Sequence, residues 1–288
     1  MTPREVIREL LLHDLAFAFH EMDGAPETIF RITAKASGII AGMKFIPMVL
    51  DVIQAEFFLP SVTRQCYPVH LRAFVTDGTR VAKGDVVAEF FGNAEVLLKA
   101  ERTILNILTS CSGIATVVAA EVARVAHTKV KLLDTRKDAA ILREMHKDAV
   151  RVGGGTNHRT GMYDGIMIKD NDIAVYGGVV PAINVRKKSA HLMEMIEIEV
   201  GSIDTLMRVF GDGRADIIML DNMSPAELRR AVHMIRFESK PYIIEASGIG
   251  GYDLVEIAET GVDYISQSSL ITRGLGNPLD MSMNAIMK

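Results

Sequence analysis

The sequence predicts an α/β protein. Three observations support this: helical spacing of apolar residues in the first third, short apolar runs that recur through the second half, and helix-length segments between those runs. Strands that alternate with helices pair in parallel. Because the runs are apolar throughout and do not alternate with polar residues, we expect strands covered on both faces, as in a barrel or a doubly wound sheet.

The first third predicts four elements before the alternation begins. We expect a helix over Thr2–Met22, a strand over Ile29–Ala34, a helix over Lys44–Phe57 and a longer helix over Glu95–Ala126. The strands expected after them are separated by segments of roughly 15 to 30 residues and lie at Val130–Leu133, Gly165–Ile168, Ile196–Val200, Asp216–Leu220, Tyr242–Ile244 and Asp263–Ile265.

Composition limits the possible functions. The 288 residues carry a net charge of −4, so bulk electrostatics favour neither nucleic acid nor an anionic membrane, and we expect no such partner. The longest apolar stretch, Gly38–Ile53, contains charges and is shorter than the roughly 20 residues that span a bilayer. Charged residues interrupt the N-terminus where a secretory signal would be apolar, so we expect a cytoplasmic protein. Cys66 and Cys111 lack metal or redox spacing and are expected to be packing thiols.

Polar residues follow all six predicted strands. In (β/α) barrels the active site is assembled at the C-terminal ends of the strands, and a phosphate often rests on the loops after the last ones. One charged strand end would mean little, because charges commonly flank strands at a solvated surface. Six in succession predict a functional rim, with these groups at the strand ends: Asp134–Lys137, Lys169–Asp170, Glu199, Asp221–Asn222, Glu245–Gly248 and Ser266–Ser268.

The charges on this rim predict a polyanionic ligand. The cations are Arg136, Lys137, Lys169, His158 and Arg159, the last two on the glycine-rich segment that starts at Gly153. Arginine binds carboxylate and phosphate bidentately, whereas lysine supplies a compact point charge. Two acids, Glu199 and Asp221, suit sugar hydroxyls or a divalent metal held through a pyrophosphate. Taken alone, His158 would more often be a satisfied polar residue, and the glycine run a plain loop.

The sequence contains no nucleophile motif. We find no G-x-S-x-G, H-E-x-x-H or G-x-x-x-x-G-K-[ST] pattern. Gly248–Gly251 lacks the full dinucleotide spacing and is better interpreted as a phosphate loop.

Nine motifs resemble, in order and spacing, the quinolinate phosphoribosyltransferase family. The resemblance is dense from about residue 70 to residue 270. The motifs are Glu101–Asn106, Ser112–Thr116, Asp134–Lys137, Gly153–Arg159, Ile168–Asn171, Ile198–Val200, Leu220–Pro225, Glu245–Gly248 and Thr260–Ser266.

This resemblance implies an N-terminal α/β sandwich and an incomplete (β/α) barrel with the active site at the C-terminal strand ends. The implied division is a sandwich domain over 1–110, joined by the C-terminal segment 271–288, and a barrel domain over 111–270. It also implies a cytoplasmic homodimer or higher homo-oligomer. The reaction would join quinolinate to 5-phosphoribosyl 1-diphosphate with Mg²⁺, giving nicotinate mononucleotide, diphosphate and CO₂ in NAD biosynthesis.

The resemblance also assigns roles to residues. Lys137, Lys169, Glu199 and Asp221 would be catalytic, and Glu199 and Asp221 would face the ribose and hold Mg²⁺ through the diphosphate. Arg102 would reach the quinolinate carboxylates from the partner subunit. The other substrate-binding residues would be Thr135, Arg136, His158 and Arg159 on the quinolinate side, and Ser247, Gly248, Ile249, Ser266, Gln267 and Ser268 around the 5′-phosphate.

The chain departs from the family pattern at several positions. Asp138–Ile141 replaces Thr-Thr-Pro-Gly, Asp172 replaces a histidine, Gly248–Gly251 alters the phosphate loop and Ser268 replaces a glycine. Three alternatives therefore remain open: a molybdenum-transport-associated paralogue, a phosphoribosyltransferase for another aromatic acid, and a non-catalytic anion-binding scaffold.

Overall fold

The structure is a computed structural model that describes residues 1–15, 25–57, 68–188, 190–191 and 193–286. The strands are β1 Glu27–Ala34, β2 Gly38–Ile39, β3 His70–Ala73, β4 Arg80–Val81, β5 Val86–Asn93, β6 Lys131–Leu133, β7 Ile166–Ile168, β8 Ile196–Val200, β9 Ile217–Asp221, β10 Ile243–Ser247, β11 Tyr264–Ser266 and β12 Met281–Ile286. The helices are α1 Pro3–Leu15, α2 Ile46–Val52, α3 Ala94–Val125, α4 Arg143–Val152, α5 Asp170–Val175, α6 Val179–Lys187, α7 Ile203–Asp212, α8 Pro225–Phe237, α9 Leu254–Ala258 and α10 Ser269–Gly276.

The chain divides into two compact units that interleave along the sequence. The first unit comprises 1–119, 138–154 and 269–288, and the second comprises 120–137 and 155–268. The expected domain boundary near residue 110 falls inside α3, whose last turns belong to the second unit.

The first unit contains a four-stranded antiparallel sheet in the order β12-β1-β5-β3. The last described strand, β12, pairs along β1 from Ile29 to Ala34. The predicted helix over Lys44–Phe57 is present as a 3₁₀ turn at Met43–Phe45, α2, and a π-helical turn at Ile53–Phe57. The predicted first helix ends at Leu15 among the described residues, and the remainder of its expected span, like Cys66, lies outside them.

Helix α3 is the core helix of the first unit. Its buried face repeats at helical spacing through Val96, Leu97, Ala100, Ile104 and Leu108. Within the part of the chain that the structure describes, α3 is the one helix long and apolar enough to cross a bilayer, yet 61% of its most apolar stretch is buried inside the protein. Such burial is typical of a core helix. Cys111 lies on α3 as a buried thiol, and burial raises its pKa to about 12, as expected for a packing residue.

The second unit confirms the predicted α/β class. All six predicted apolar runs overlap strands, and these form one parallel sheet in the order β6-β11-β10-β9-β8-β7. In this order β6 lies beside β11 and not beside β7, as in a barrel that is open between its first and second strands. The described residues show no ladder between β6 and β7, and the segment that follows β6 returns through an isolated bridge between Leu133 and Thr156. The parallel arrangement places the C-terminal ends of all six strands at one edge.

The close packing of α3 against the C-terminal end of α10 gives a stability prediction. A Cβ on Gly113 would lie 2.5 Å from the Gly274 carbonyl oxygen and 2.8 Å from that of Asn277. We expect Gly113→Ala to destabilise the protein by about 1 to 3 kcal/mol, because the methyl group overpacks rigid backbone. Thermal unfolding measures the effect.

The matched control is Gly211→Ala in α7, where an added Cβ meets nothing within 4 Å. This variant should be neutral or more stable by about 0.5 to 1 kcal/mol, because alanine lowers the conformational entropy of the unfolded chain. The same effect acts at Gly113, so the two variants differ only in packing. Equal melting temperatures for the two variants would contradict the packing described for Gly113.

Candidate active site

The strand ends of the second unit enclose a cavity of about 290 Å³. Side chains alternate along each strand, so residues two apart share a face. The parallel register places Ser247 beside Asp221 and Val200 beside Leu220, which brings the ends of β8, β9 and β10 together. The predicted site residues that line the cavity are Thr135, Arg136, Lys137, His158, Arg159, Lys169, Glu199, Asp221, Ser247, Gly248 and Ser266.

Four residues assigned through the resemblance do not line this cavity. Arg102 is exposed on α3. Ile249 is buried in the loop after β10. The Gln267 main-chain N–H donates to the Leu133 carbonyl at 3.0 Å, extending the pairing between β11 and β6, and Ser268 is half-buried beyond it.

Asp134 fixes the segment that carries His158 and Arg159. This fully buried carboxylate accepts a hydrogen bond from the His158 main-chain N–H at 2.9 Å and another from Asn157 Nδ2 at 2.6 Å. The Thr156 N–H also donates to the Leu132 carbonyl at 2.8 Å. The glycine-rich segment is therefore held to the end of β6, and this attachment brings its two cations to the rim.

Arg136 and Arg159 make the site electropositive. Burial lowers the pKa of the Arg159 guanidinium, and the neighbouring charge of Arg136 lowers it further. Arg159 is held by the Gly165 carbonyl at 3.2 Å. Two guanidinium groups that repel each other in a partly buried cavity favour an anion between them, since the anion relieves both the repulsion and the desolvation cost.

The two predicted acids lie in the same cavity with different partners. Lys169 Nζ donates to Glu199 Oε2 at 2.6 Å, and Asp221 accepts a hydrogen bond from the side-chain amide of Asn222. Lys169 is about half exposed, whereas only 10% of the Glu199 side chain is exposed, so a ligand that draws Lys169 away must bring another partner for Glu199.

Below this rim lies a buried cluster that sequence reasoning did not assign. His158 Nε2 is 3.2 Å from Glu197 Oε2 and 3.4 Å from Glu245 Oε2. Both glutamates face a second cavity of about 610 Å³, which shares His158 and Arg159 with the first. The sequence could have indicated Glu197, because side chains two residues apart in a strand point to the same face and Glu197 lies two residues before Glu199.

The charge of His158 follows from this cluster. Burial alone would lower the pKa of His158, but the hydrogen bonds and charges of Glu197 and Glu245 outweigh it and raise that pKa to about 10. The Arg159 N–H lies 2.7 Å from His158 Nδ1, a contact that favours the neutral ring. Since a formal carboxylate charge outweighs one amide dipole, we expect the cation. Burial meanwhile raises the pKa of Glu197.

Two departures from the family pattern have local partners. The Asp172 carboxylate accepts a hydrogen bond from the Lys169 main-chain N–H at 3.0 Å, and this contact caps α5 directly after β7. Asp172 also pairs with Arg186. Burial raises the pKa of Asp172, but these two partners lower it overall. In the first unit, buried Asp138 pairs with Arg143 at 2.8 Å and approaches His146.

We expect the His158 ring to remain protonated from about pH 6 to pH 9 because Glu197 and Glu245 flank Nε2. Its contribution to stability is complete below the unfolded-state pKa of about 6.5 and is lost as the pH rises through about 10. A nitrogen-detected NMR titration, assigned with His158→Gln, measures the ring pKa. Glu245→Gln should lower it. A wild-type midpoint near 6.5 would contradict this description of the cluster.

Comparison with known proteins indicates the family to which the chain belongs. Residues 14–112 match the N-terminal domain of quinolinate phosphoribosyl transferase, and residues 114–284 match its C-terminal domain. A probable nicotinate-nucleotide pyrophosphorylase [carboxylating] of Bacillus subtilis is 38% identical over 89% of this chain and 83% of that protein. The corresponding Mycobacterium leprae protein is 35% identical over 93% of this chain and 92% of its own length.

Solved structures agree with these sequence matches. The crystal structure of NadC from Streptococcus pyogenes is 33% identical, with a TM-score of 0.80 over 99% of this chain and 98% of that chain. The nicotinate-nucleotide pyrophosphorylase of Ehrlichia chaffeensis is 28% identical, with a TM-score of 0.84 over 99% of both chains. On the family matches and the identities, the chain belongs to the quinolinate phosphoribosyltransferase family.

Proposed function

We propose that this protein is the carboxylating nicotinate-nucleotide pyrophosphorylase that its family relatives are named for. It transfers the phosphoribosyl group of 5-phosphoribosyl 1-diphosphate to quinolinate in NAD biosynthesis, releasing diphosphate and CO₂. The observation that carries the proposal is one cavity in which Arg136, Arg159, Lys137 and Lys169 face Glu199 and Asp221. Few other substrate pairs combine a ring that carries two carboxylates with a sugar that carries both a phosphate and a diphosphate. The arginines suit the first substrate, and the lysines and acids suit the second.

Quinolinate occupies the arginine side in this proposal. Its two adjacent carboxylates take the bidentate guanidinium groups of Arg136 and Arg159, while the protonated His158 lies beside Arg159. This placement presents the ring nitrogen to the sugar carbon. Because the cations are fixed before the substrate binds, little reorganisation is required when the bond forms.

The acids and lysines act on the other substrate. As the bond from ribose C1 to the diphosphate oxygen breaks, positive character develops on the sugar and negative charge on the leaving group. The carboxylates of Glu199 and Asp221 stabilise the positive charge on the sugar, and the ammonium groups of Lys137 and Lys169 stabilise the negative charge on the diphosphate. The quinolinate nitrogen then bonds to C1. The adjacent carboxylate leaves as CO₂, its bonding electrons pass to the cationic ring, and the ring carbon takes a proton.

The residues present fit a Mg²⁺ ion carried in by the diphosphate. Mg²⁺ usually takes one or two carboxylates together with substrate phosphates and keeps several waters. Glu199 and Asp221 lie on neighbouring strands in one cavity and could hold it. Bound there, the ion would neutralise charge on the leaving group.

Two further features belong to the proposal. A cytoplasmic location is supported by the substrates, which are multiply charged and do not cross a bilayer unaided. A homodimer with shared sites is supported by the exposure of Arg102 on α3 and by the family role of that arginine.

The assay is product analysis by mass spectrometry. With quinolinate, phosphoribosyl diphosphate and Mg²⁺, we expect nicotinate mononucleotide and CO₂, and no product when either of the last two is left out. Nicotinate should be used with a kcat/KM at least about a hundredfold lower, because it leaves half-buried arginine donors without their carboxylate. Equal use of nicotinate, or turnover only with another aromatic acid, would contradict the quinolinate assignment.

Subunit mixing tests the shared site. Arg102→Ala and Lys137→Ala should each be inactive alone, but after subunit exchange about a quarter of wild-type activity should return, since half of the dimers are mixed and each has one intact site. The control mixture, Lys137→Ala with Lys169→Ala, should stay inactive because both residues belong to the same subunit's rim. Confirmed exchange without recovery in the first mixture would contradict an intersubunit role for Arg102.

A further inference from the structure

The turn after β9 holds a strained residue that has no assigned role. Among residues 1–15, 25–57, 68–188, 190–191 and 193–286, Asn222 is the only non-glycine residue with a positive φ, at 57°. This left-handed conformation brings Cβ close to the backbone and is disfavoured for every residue except glycine, though less so for asparagine. Such strain persists where the surrounding structure requires it, most often at functional sites.

The left-handed turn directs both polar groups of Asn222 toward the site. Its side-chain amide donates to Asp221 Oδ2, and its main-chain N–H donates to the Ser247 carbonyl at 3.1 Å. One contact orients the carboxylate of the preceding residue, and the other ties the end of β9 to the end of β10. Asn222 also lines the site cavity beside Asp221.

The position of Gly248 is an independent indication that the space for Asn222 is reserved. A Cβ on Gly248 would lie 2.7 Å from Asn222 Cγ and 2.8 Å from its main-chain nitrogen, and Gly248 itself has φ +66°. Any side chain at 248 would displace the amide from Asp221. Gly248 therefore leaves space for Asn222, in the turn after β9, and also fits the conformation of its own loop.

We infer that Asn222 is a positioning residue that fixes the Asp221 carboxylate for the ribose-diphosphate substrate, in space that the absence of a side chain at Gly248 leaves open. With Oδ2 of Asp221 engaged, Oδ1 is presented to a sugar hydroxyl or a cation in a defined direction. This inference rests on the proposed function, since it names the same substrate.

The test separates the amide from the backbone strain. Asn222→Gly removes the amide and relieves the strain, whereas Asn222→Ala removes the amide and keeps the strain. Calorimetry with phosphoribosyl diphosphate and Mg²⁺ should show binding about tenfold weaker in both variants, as expected for loss of a supporting hydrogen bond to a ligand-binding group. Quinolinate binding should change by less than about twofold. The melting temperature should be unchanged or higher for Asn222→Gly and lower for Asn222→Ala.

A double-mutant cycle with Asp221→Asn decides whether Asn222 acts through Asp221. If it does, Asn222→Gly should weaken phosphoribosyl diphosphate binding much less in the Asp221→Asn background than in the wild type. Fully additive effects, unchanged binding in Asn222→Gly, or losses that follow the melting temperature would each overturn the inference. A wild-type protein that does not bind phosphoribosyl diphosphate would instead overturn the proposed function, and the inference with it.

Discussion

The site of the second unit depends on one constraint, the parallel register of its strands. Because β8, β9 and β10 pair in parallel without a slip, Glu199, Asp221 and Ser247 reach the same edge. A one-residue shift of any strand would turn its polar terminal side chain to the opposite face, among the covering helices. Side chains alternate between the two faces of a strand, so Glu197 and Glu245, two residues before Glu199 and Ser247, lie on the same face one layer deeper. There they meet His158.

The rim of the site and the deeper layer around His158 differ in how their charges are paired. In the deeper layer, the His158 ring faces two buried carboxyl groups, and the raised pKa of Glu197 favours a proton on that carboxyl, which reduces the excess of negative charge. At the rim, Arg136 and Arg159 repel each other and Lys169 is shared with Glu199. An anionic ligand placed between Arg136 and Arg159 would relieve their mutual repulsion at the rim.

The departures from the family pattern are accommodated locally. Asp172 acquires Arg186 and the Lys169 main-chain N–H as partners, and Asp138 acquires Arg143. Asp138 does not line the site cavity, whereas Asp172 lies with Arg136, Arg159 and Lys169 in an adjoining cavity of about 480 Å³. The three cations assigned to quinolinate, Arg136, His158 and Arg159, lie together in the site cavity as the resemblance implies.

The sequence by itself determined the α/β class, the six strands of the second unit and the group of charged residues at their ends, because periodicity and strand-end position are local properties of the chain. It also carried the family, through motifs that span both halves. Only the tertiary structure decided which charges meet. The pairing of His158 with Glu197 and Glu245, the support of the glycine-rich segment by Asp134, and the dependence of Asn222 on the missing side chain of Gly248 all join residues from different strands or loops. No local pattern encodes such contacts, because they arise from the register of neighbouring strands and from the space left between them.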